Sequence, residues 1–137
     1  VPAILQYLAD QRPQAGLLPP AGTMERVRVQ EWLTFIGTEI HKSFGPLFNP
    51  AAPAEAKSAA RAALDRRFGF VDQVLAGRDY LAGPAPSVAD AYLFVVSNWT
   101  QRMDVDTSGW PHLVAFRQRM AARPAVREAM QAEGLLK

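Results

Sequence analysis

The sequence lacks cysteine, holds only two histidines and contains no long apolar run. Without cysteine, disulfides, thiolate metal sites and a cysteine nucleophile are excluded within these 137 residues, and a reducing, cytoplasmic setting fits. His41 and His112 lie far apart and neither has a ligand partner at i+3 or i+4, so no metal is expected. The most apolar stretch, 88–99, is shorter than the roughly 20 residues a membrane span needs. The N-terminus shows no secretory signal.

The composition predicts a single globular domain. Hydrophobic residues make up 49% and charged residues 20%, which excludes a disordered chain. The pI of about 9.3 reflects a net charge of only +2. Residues 1–68 hold eight basic and six acidic side chains, and 69–137 hold seven of each. Because counterion release needs clustered cations on one face, a nucleic-acid partner is not favoured.

Prolines and glycines divide the chain into segments with helical periodicity, and no repeat or strand-like alternation stands out. The apolar spacing and the breakers predict an all-α bundle. Gly77 is expected to cap the third of these helices at its C-terminus. The predicted helices cover about 2–10, 24–43, 54–76, 88–102, a segment starting at Pro111, and a last segment from Pro124 to Gly134.

The clearest local signal is a capping box formed by Ser87 and Asp90. The Ser87 hydroxyl can accept the backbone N–H of Asp90, and the Asp90 carboxylate can reach back to the N–H of Ser87. An almost uninterrupted apolar run to Trp99 follows. A helix without a polar face is expected to be buried on every side, so 88–102 is predicted to be the central helix of the bundle.

The helix predicted for 24–43 is amphipathic, and its polar side is a candidate ligand site. Thr34, Thr38 and His41 recur at i, i+4 and i+7, with Lys42 beside them. Hydroxyls, an imidazole and a cation in one row would suit an anionic polar ligand. Spacing alone favours the other interpretation, a solvated helix face. The opposite side is expected to be core and carries Val29, Trp32, Leu33, Ile36, Ile40 and Phe44.

Three stretches resemble one protein family. Residues 31–48 are similar to the first long helix of the C-terminal domain of bacterial, beta-class-like glutathione transferases. Residues 87–92 resemble the capping box and buried helix of that family, and residues 120–126 resemble its Ala-Arg-Pro-x-Val ending. The resemblance covers essentially the whole chain and implies the all-α fold of that domain around a buried central helix.

The resemblance also implies a domain organisation. Residues 1–11 look like a remnant of the last helix of a thioredoxin-like N-terminal domain, 12–23 like the interdomain linker, and 24–137 like the helical domain. The missing thioredoxin-like domain would carry most glutathione contacts and the residue beside the sulfur. Family members are usually homodimers in which the helices 24–43 and 54–76 meet their counterparts.

Site residues are carried over by the same resemblance. His41 is the candidate catalytic residue, close to the glutathione sulfur, and Lys42 would hold a peptide carboxylate. Thr34 and Thr38 match polar positions that reach the glutathione of the partner subunit. The hydrophobic-substrate pocket is expected to include Phe44, Leu47 and Trp99.

The implied function is conjugation of the glutathione thiolate to small hydrophobic electrophiles, with glutathione as co-substrate and no metal. The isolated helical half is expected to be inactive. The alternative is a non-catalytic interaction module that uses the transferase-like fold for docking, because a fold does not fix a function. The sequence leaves the electrophile and the sulfur-contacting residue open.

Overall fold

The computed structural model describes residues 1–136, and no strand occurs among them. The all-α prediction is confirmed. Short connections rich in proline and glycine join the helices, as the sequence predicted. The α-helices are α1 (Pro2–Asp10), α2 (Met24–Phe35), α3 (Gly45–Phe48), α4 (Ala54–Leu75), α5 (Val88–Arg102), α6 (Pro111–Ala121) and α7 (Pro124–Ala132).

The helix predicted for 24–43 is regular only in its first half. After α2 the chain continues as a π-helical turn, Ile36–His41, and then as a 3-10 turn, Lys42–Phe44. The prediction that Gly45 and Pro46 bend or end the helix is only partly right. They open the short helix α3, where proline needs no N–H because it occupies the first turn.

The central core lies between α2, α4, α5 and α6. The predicted stripe of α2 and its extension is buried apart from Trp32, which is partly exposed. The predicted stripe of α4 is buried in full and packs against the same cluster. The large side chains with less than 2% exposure include Phe44, Phe68, Phe116, Leu33, Ile36, Ile40, Leu64, Leu93 and Leu113.

The prediction that α5 is buried on every side is wrong for one stripe. Ala91 is exposed, and Val95 keeps 51% of its surface accessible. With Asn98 and Arg102, which are partly or fully exposed, they recur at i, i+4, i+7 and i+11. Apolar residues also occur on protein surfaces, so composition alone could not locate this open face.

The capping box at the start of α5 is confirmed. The N–H of Ser87 donates to Oδ2 of Asp90 at 2.8 Å, and the Ser87 hydroxyl accepts the N–H of Ala89 at 3.2 Å. Oδ1 of Asp90 also accepts the N–H of Leu81 at 2.9 Å. Burial raises the pKa of the Asp90 carboxyl, against the effect of these donors. The carboxylate therefore ties the preceding loop to the central helix.

Helix α6 has no side-chain cap of its own at Trp110. Instead, Oδ1 of Asp72 in α4 accepts the N–H groups of His112 and Leu113 at 2.8 and 2.9 Å. Pro111 occupies the first turn as predicted. Two free N–H groups of α6 are thus satisfied by a carboxylate from another helix.

The two glycines expected near helix ends behave differently. Gly134 follows α7 and has a φ of 71°, the left-handed conformation typical of a glycine after a helix. Gly77 is not among the residues with positive φ, and Ala76 ends α4 in a right-handed conformation. The prediction that Gly77 caps α4 is therefore wrong, because the C-cap residue is Ala76.

None of the helices within residues 1–136 combines the length and the apolar character that crossing a membrane would require.

Candidate functional site

The predicted polar row lies in one groove between α1, the π-helical turn and α5. The groove has a volume of about 400 Å³. Thr34, Thr38, His41 and Lys42 all line it, so the structure brings the four predicted residues together. The remaining lining residues are Val1, Pro2, Leu33, Gly37 and Tyr92.

Both threonine hydroxyls are held by the helix backbone. Thr34 donates its hydroxyl hydrogen to the carbonyl of Gln30 at 3.0 Å, and Thr38 donates to the carbonyl of Thr34 at 2.9 Å. Their oxygen lone pairs remain free to accept a hydrogen bond. Both side chains are exposed, so this edge of the groove offers acceptors to a ligand with N–H or O–H groups.

His41 is enclosed by two aromatic residues of α5. Its Nδ1 lies 2.6 Å from the Tyr92 hydroxyl oxygen. Its ring meets the Trp99 ring edge-on, with centroids 4.9 Å apart and planes at 79°. Tyr92 and Trp99 are seven residues apart and therefore lie on one face of α5. These contacts fix the imidazole in one orientation while it stays only half-buried.

The positive charge of the groove comes from Lys42, the residue that follows His41. Its side chain is exposed, and no ion pair among residues 1–136 involves it. The nearest acidic residue in sequence, Glu39, is paired with Arg67 of α4. Burial raises the pKa of the Tyr92 phenol, so this neighbour stays uncharged at neutral pH. An anionic group in the groove would therefore meet a free cation.

Of the three residues predicted for the hydrophobic pocket, Phe44 and Trp99 pack together in an aromatic corner, and the three differ in their exposure. Phe44 has no exposed surface and supports the Trp99 ring from the core, at a centroid distance of 5.4 Å. Leu47 and Trp99 are partly exposed. Phe48, which the sequence analysis missed, is 42% exposed and lies 5.2 Å from Trp99. In this structure Phe48 offers the surface that Phe44 does not.

Tyr92 is the second residue that the sequence analysis did not place in the site. It was counted among the apolar residues of the central helix, and it is only 5% exposed. The available signal was its spacing of seven residues from Trp99, which puts both rings on one side of α5.

Other parts of the described chain offer less chemistry. A more open hollow of about 480 Å³ lies in the loop after α4 and is lined by Gly77, Arg78, Asp79, Gly83 and Pro84. Arg78 donates to the carbonyl of Leu81 and Asp79 faces Arg119, so these groups serve the loop itself. Across residues 1–136, no three histidine, aspartate or glutamate side chains converge on a possible metal position.

Comparison with known proteins gives a consistent family. Residues 35–124 match the profile of the glutathione S-transferase C-terminal domain. The chain is 44% identical over 133 residues to glutathione S-transferase GstA of Escherichia coli O157:H7, covering 97% of this chain and 66% of GstA. It is 39% identical over 140 residues to glutathione S-transferase GST-4.5 of Xanthomonas campestris pv. campestris, covering 97% of this chain and 69% of that protein.

Solved structures agree with the sequence relatives. The bacterial transferase BphK, solved as a ternary complex, is 50% identical with a TM-score of 0.96, covering 97% of this chain and 66% of BphK. A sphingomonad glutathione S-transferase complexed with glutathione is 47% identical with a TM-score of 0.94, covering 98% of this chain and 67% of that structure. The chain thus spans about two thirds of the length of these relatives.

Proposed function

We propose that this chain, which belongs to the glutathione S-transferase family and contains its C-terminal domain, is the helical half of an enzyme that conjugates glutathione to hydrophobic electrophiles. The observation that carries the proposal is the convergence of Thr34, Thr38, His41 and Lys42 on one groove beside an aromatic corner. Four residues chosen from the sequence pattern and the family resemblance meet there.

The groove matches the chemical needs of the reaction. The thiol of glutathione is a poor nucleophile and must become a thiolate. Hydrogen-bond donors and positive charge near the sulfur lower its pKa, and His41 supplies a hydrogen-bond donor. Lys42 holds a carboxylate of the tripeptide. The partly exposed ring of Trp99 and the exposed ring of Phe48, with Leu47, form an apolar wall for the electrophile.

The proposal includes a thioredoxin-like domain that completes the site. In keeping with it, α1 exposes a row of large apolar side chains, Ile4, Tyr7 and Leu8, each more than half accessible. Such a surface is typical of an interface. We assign residues 1–11 to that domain, 12–23 to the linker and 24–137 to the helical domain, and we place the enzyme in the bacterial cytoplasm.

The proposed enzyme is a homodimer joined through α2 and α4. On the outer side of these helices, Phe70 is 48% exposed and stacks on Trp32 at a centroid distance of 6.0 Å. Phe35 meets Phe70 edge-on at 5.5 Å. Exposed aromatic clusters of this kind are enriched in protein interfaces. Sedimentation velocity tests this part, and Phe70→Glu is expected to shift the chain from dimer to monomer.

The catalytic proposal is tested by fusing this chain to the third of GstA that it does not match. The fusion is expected to conjugate glutathione to a nitro-substituted aryl chloride, whereas the chain alone is expected to be inactive. Replacing both His41 and Lys42 by alanine should lower kcat/KM by about 100-fold, since each loses a charge-assisted contact of about 1.5 kcal/mol. The matched control replaces His112 and Lys57 by alanine. Equal loss in both double variants would contradict the assignment.

A second measurement separates the enzyme from the docking-module alternative. Millimolar glutathione added to the 137-residue chain is expected to shift amide resonances of residues 34–42, and an unrelated acidic tripeptide is not. An unperturbed groove together with an inactive fusion would favour the module.

A further inference from the structure

The contact between Tyr92 and His41 decides which role the imidazole can take. The two side chains come from elements 51 residues apart in sequence and meet at 2.6 Å. Among the hydrogen bonds of residues 1–136, this is the single one that involves the Tyr92 hydroxyl, and none involves Nε2 of His41. Whether the hydrogen of this contact belongs to the hydroxyl or to Nδ1 therefore determines whether Nε2 donates a hydrogen bond to a ligand or accepts one.

The 2.6 Å distance allows either partner to donate, and the surroundings favour the Tyr92 hydroxyl as the donor. Burial raises the pKa of Tyr92, so its O–H persists through the neutral range. If Nδ1 carried the hydrogen instead, the hydroxyl hydrogen of a side chain only 5% exposed would lose its one acceptor within the described chain. Leaving a buried donor without an acceptor is unfavourable, because the hydrogen bond it made to water in the unfolded chain is not replaced. Donation from Tyr92 to Nδ1 avoids that cost.

We infer that Tyr92 is a positioning residue that keeps Nδ1 of His41 as an acceptor, so that Nε2–H is a permanent hydrogen-bond donor to the ligand in the groove. In the neutral ring the hydrogen must then sit on Nε2, and in the charged ring Nε2 carries one as well. Nε2 lies across the ring from Nδ1 and therefore faces away from Tyr92. His41 donates from this atom and does not accept a proton there.

The inference rests on the proposed function in naming glutathione as the ligand. It also states where the proton of the thiol goes. When glutathione binds, its S–H proton leaves to water, and the Nε2–H of His41 donates to the thiolate sulfur that remains. The titratable side chains that line the groove are His41, Lys42 and Tyr92, and neither Pro2 of α1 nor the preceding Val1 adds a titratable side chain. Because Lys42 is assigned to a carboxylate of the tripeptide, His41 is the groove residue that stabilises the thiolate.

The first experiment uses the 137-residue chain and needs no activity. Nitrogen-15 spectra of the imidazoles at alkaline pH should show Nδ1 of His41 as an unprotonated acceptor, correlated with a slowly exchanging Tyr92 hydroxyl proton. The sequence has only one other histidine, His112, which is exposed and serves as the internal reference. Tyr92→Phe should remove the hydroxyl signal, and Tyr80→Phe should leave it. A hydrogen on Nδ1 of His41 would overturn the inference.

The second experiment measures the thiolate in the fusion described above. Ultraviolet absorbance of the bound thiolate should show that Tyr92→Phe raises the pKa of the bound glutathione thiol by about one unit. At a pH below that pKa, the fraction of glutathione present as thiolate should then fall about tenfold. KM should change little and kcat should fall. An unchanged thiol pKa in Tyr92→Phe, when His41→Ala raises it, would refute the positioning role. If the fusion binds no glutathione, the proposed function fails while the spectra still decide the Tyr92–His41 geometry.

Discussion

The starts of α5 and α6 solve the same problem by different routes. At α5, Ser87 and Asp90 satisfy the free N–H groups from within the helix and its cap. At α6, Asp72 satisfies them from α4, 40 residues away in sequence for His112. A local cap defines one helix, whereas a distant cap also fixes the position of one helix on another. The difference shows which stabilising contacts the sequence displays and which only the fold creates.

The largest effect is expected for Asp90→Ala. The carboxylate is fully buried and accepts hydrogen bonds from the N–H groups of Leu81 and Ser87, and all of these would be lost. Because buried donors would be left without acceptors, the free energy of unfolding should fall by about 3 to 4 kcal/mol. Denaturant unfolding of the chain measures this. If Asp90→Ala lowered the free energy of unfolding by less than Asp72→Ala does, the distant cap would be the stronger of the two.

Asp72→Ala should rank second. It removes the acceptor for two N–H groups of α6, so we expect a loss of about 2 kcal/mol. Hydrogen exchange should rise at the start of α6 more than elsewhere, since α6 is uncapped otherwise. Asp65→Ala, at an exposed position of the same helix, is the matched control. Equal destabilisation by both substitutions would show that the distant cap contributes nothing.

The same contrast explains how far the sequence could predict the structure. The helix bounds of α1 and α5 and the capping box follow from residues within one turn of each other, and all were predicted. The Asp72 cap and the contact between His41 and Tyr92 join residues far apart in sequence, where no local pattern exists. The π-helical turn and the exposed face of Val95 also depend on what the rest of the chain packs against.

A third substitution sharpens the comparison at the contact between α4 and α6. Gly69 lies one turn before Asp72, and a Cβ added there would meet Nε1 of Trp110 at 3.9 Å, an ordinary contact. The structure therefore leaves room for a methyl group at this position. Gly69→Ala should therefore stabilise the chain by about 0.5 to 1 kcal/mol. Destabilisation in thermal unfolding would mean that Trp110 cannot accommodate the methyl group.

The smallest effect is expected for the ion pair between Arg26 and Asp10, whose carboxylate is exposed. Arg26 of α2 donates twice to Asp10 of α1, at 2.9 and 2.8 Å, and this contact lowers the pKa of Asp10 from its ordinary 3.8. The native state thus holds the proton less tightly than the unfolded state. The contribution of this contact to the free energy of unfolding is present above pH 3.8 and is lost as the pH falls through the lowered pKa of Asp10. Asp10→Asn should therefore reduce the difference in stability between neutral and acidic pH, which urea midpoints measure. Added salt should weaken the contribution of the ion pair in the unchanged chain.

The π-helical turn Ile36–His41 makes chain length a structural variable at the groove. Such a turn holds one residue more than an α-helical turn, so deleting a single residue between Ile36 and Ile40 would restore regular pitch. The residues downstream would keep nearly the same orientation relative to α2, because the wider π-helical turn accommodates the extra residue without passing its rotation on. Phe44 and Phe48 would then stay on the Trp99 ring. A one-residue deletion should therefore be tolerated better here than elsewhere in the helix, and homologues that differ by one residue here should keep the shape of their pocket.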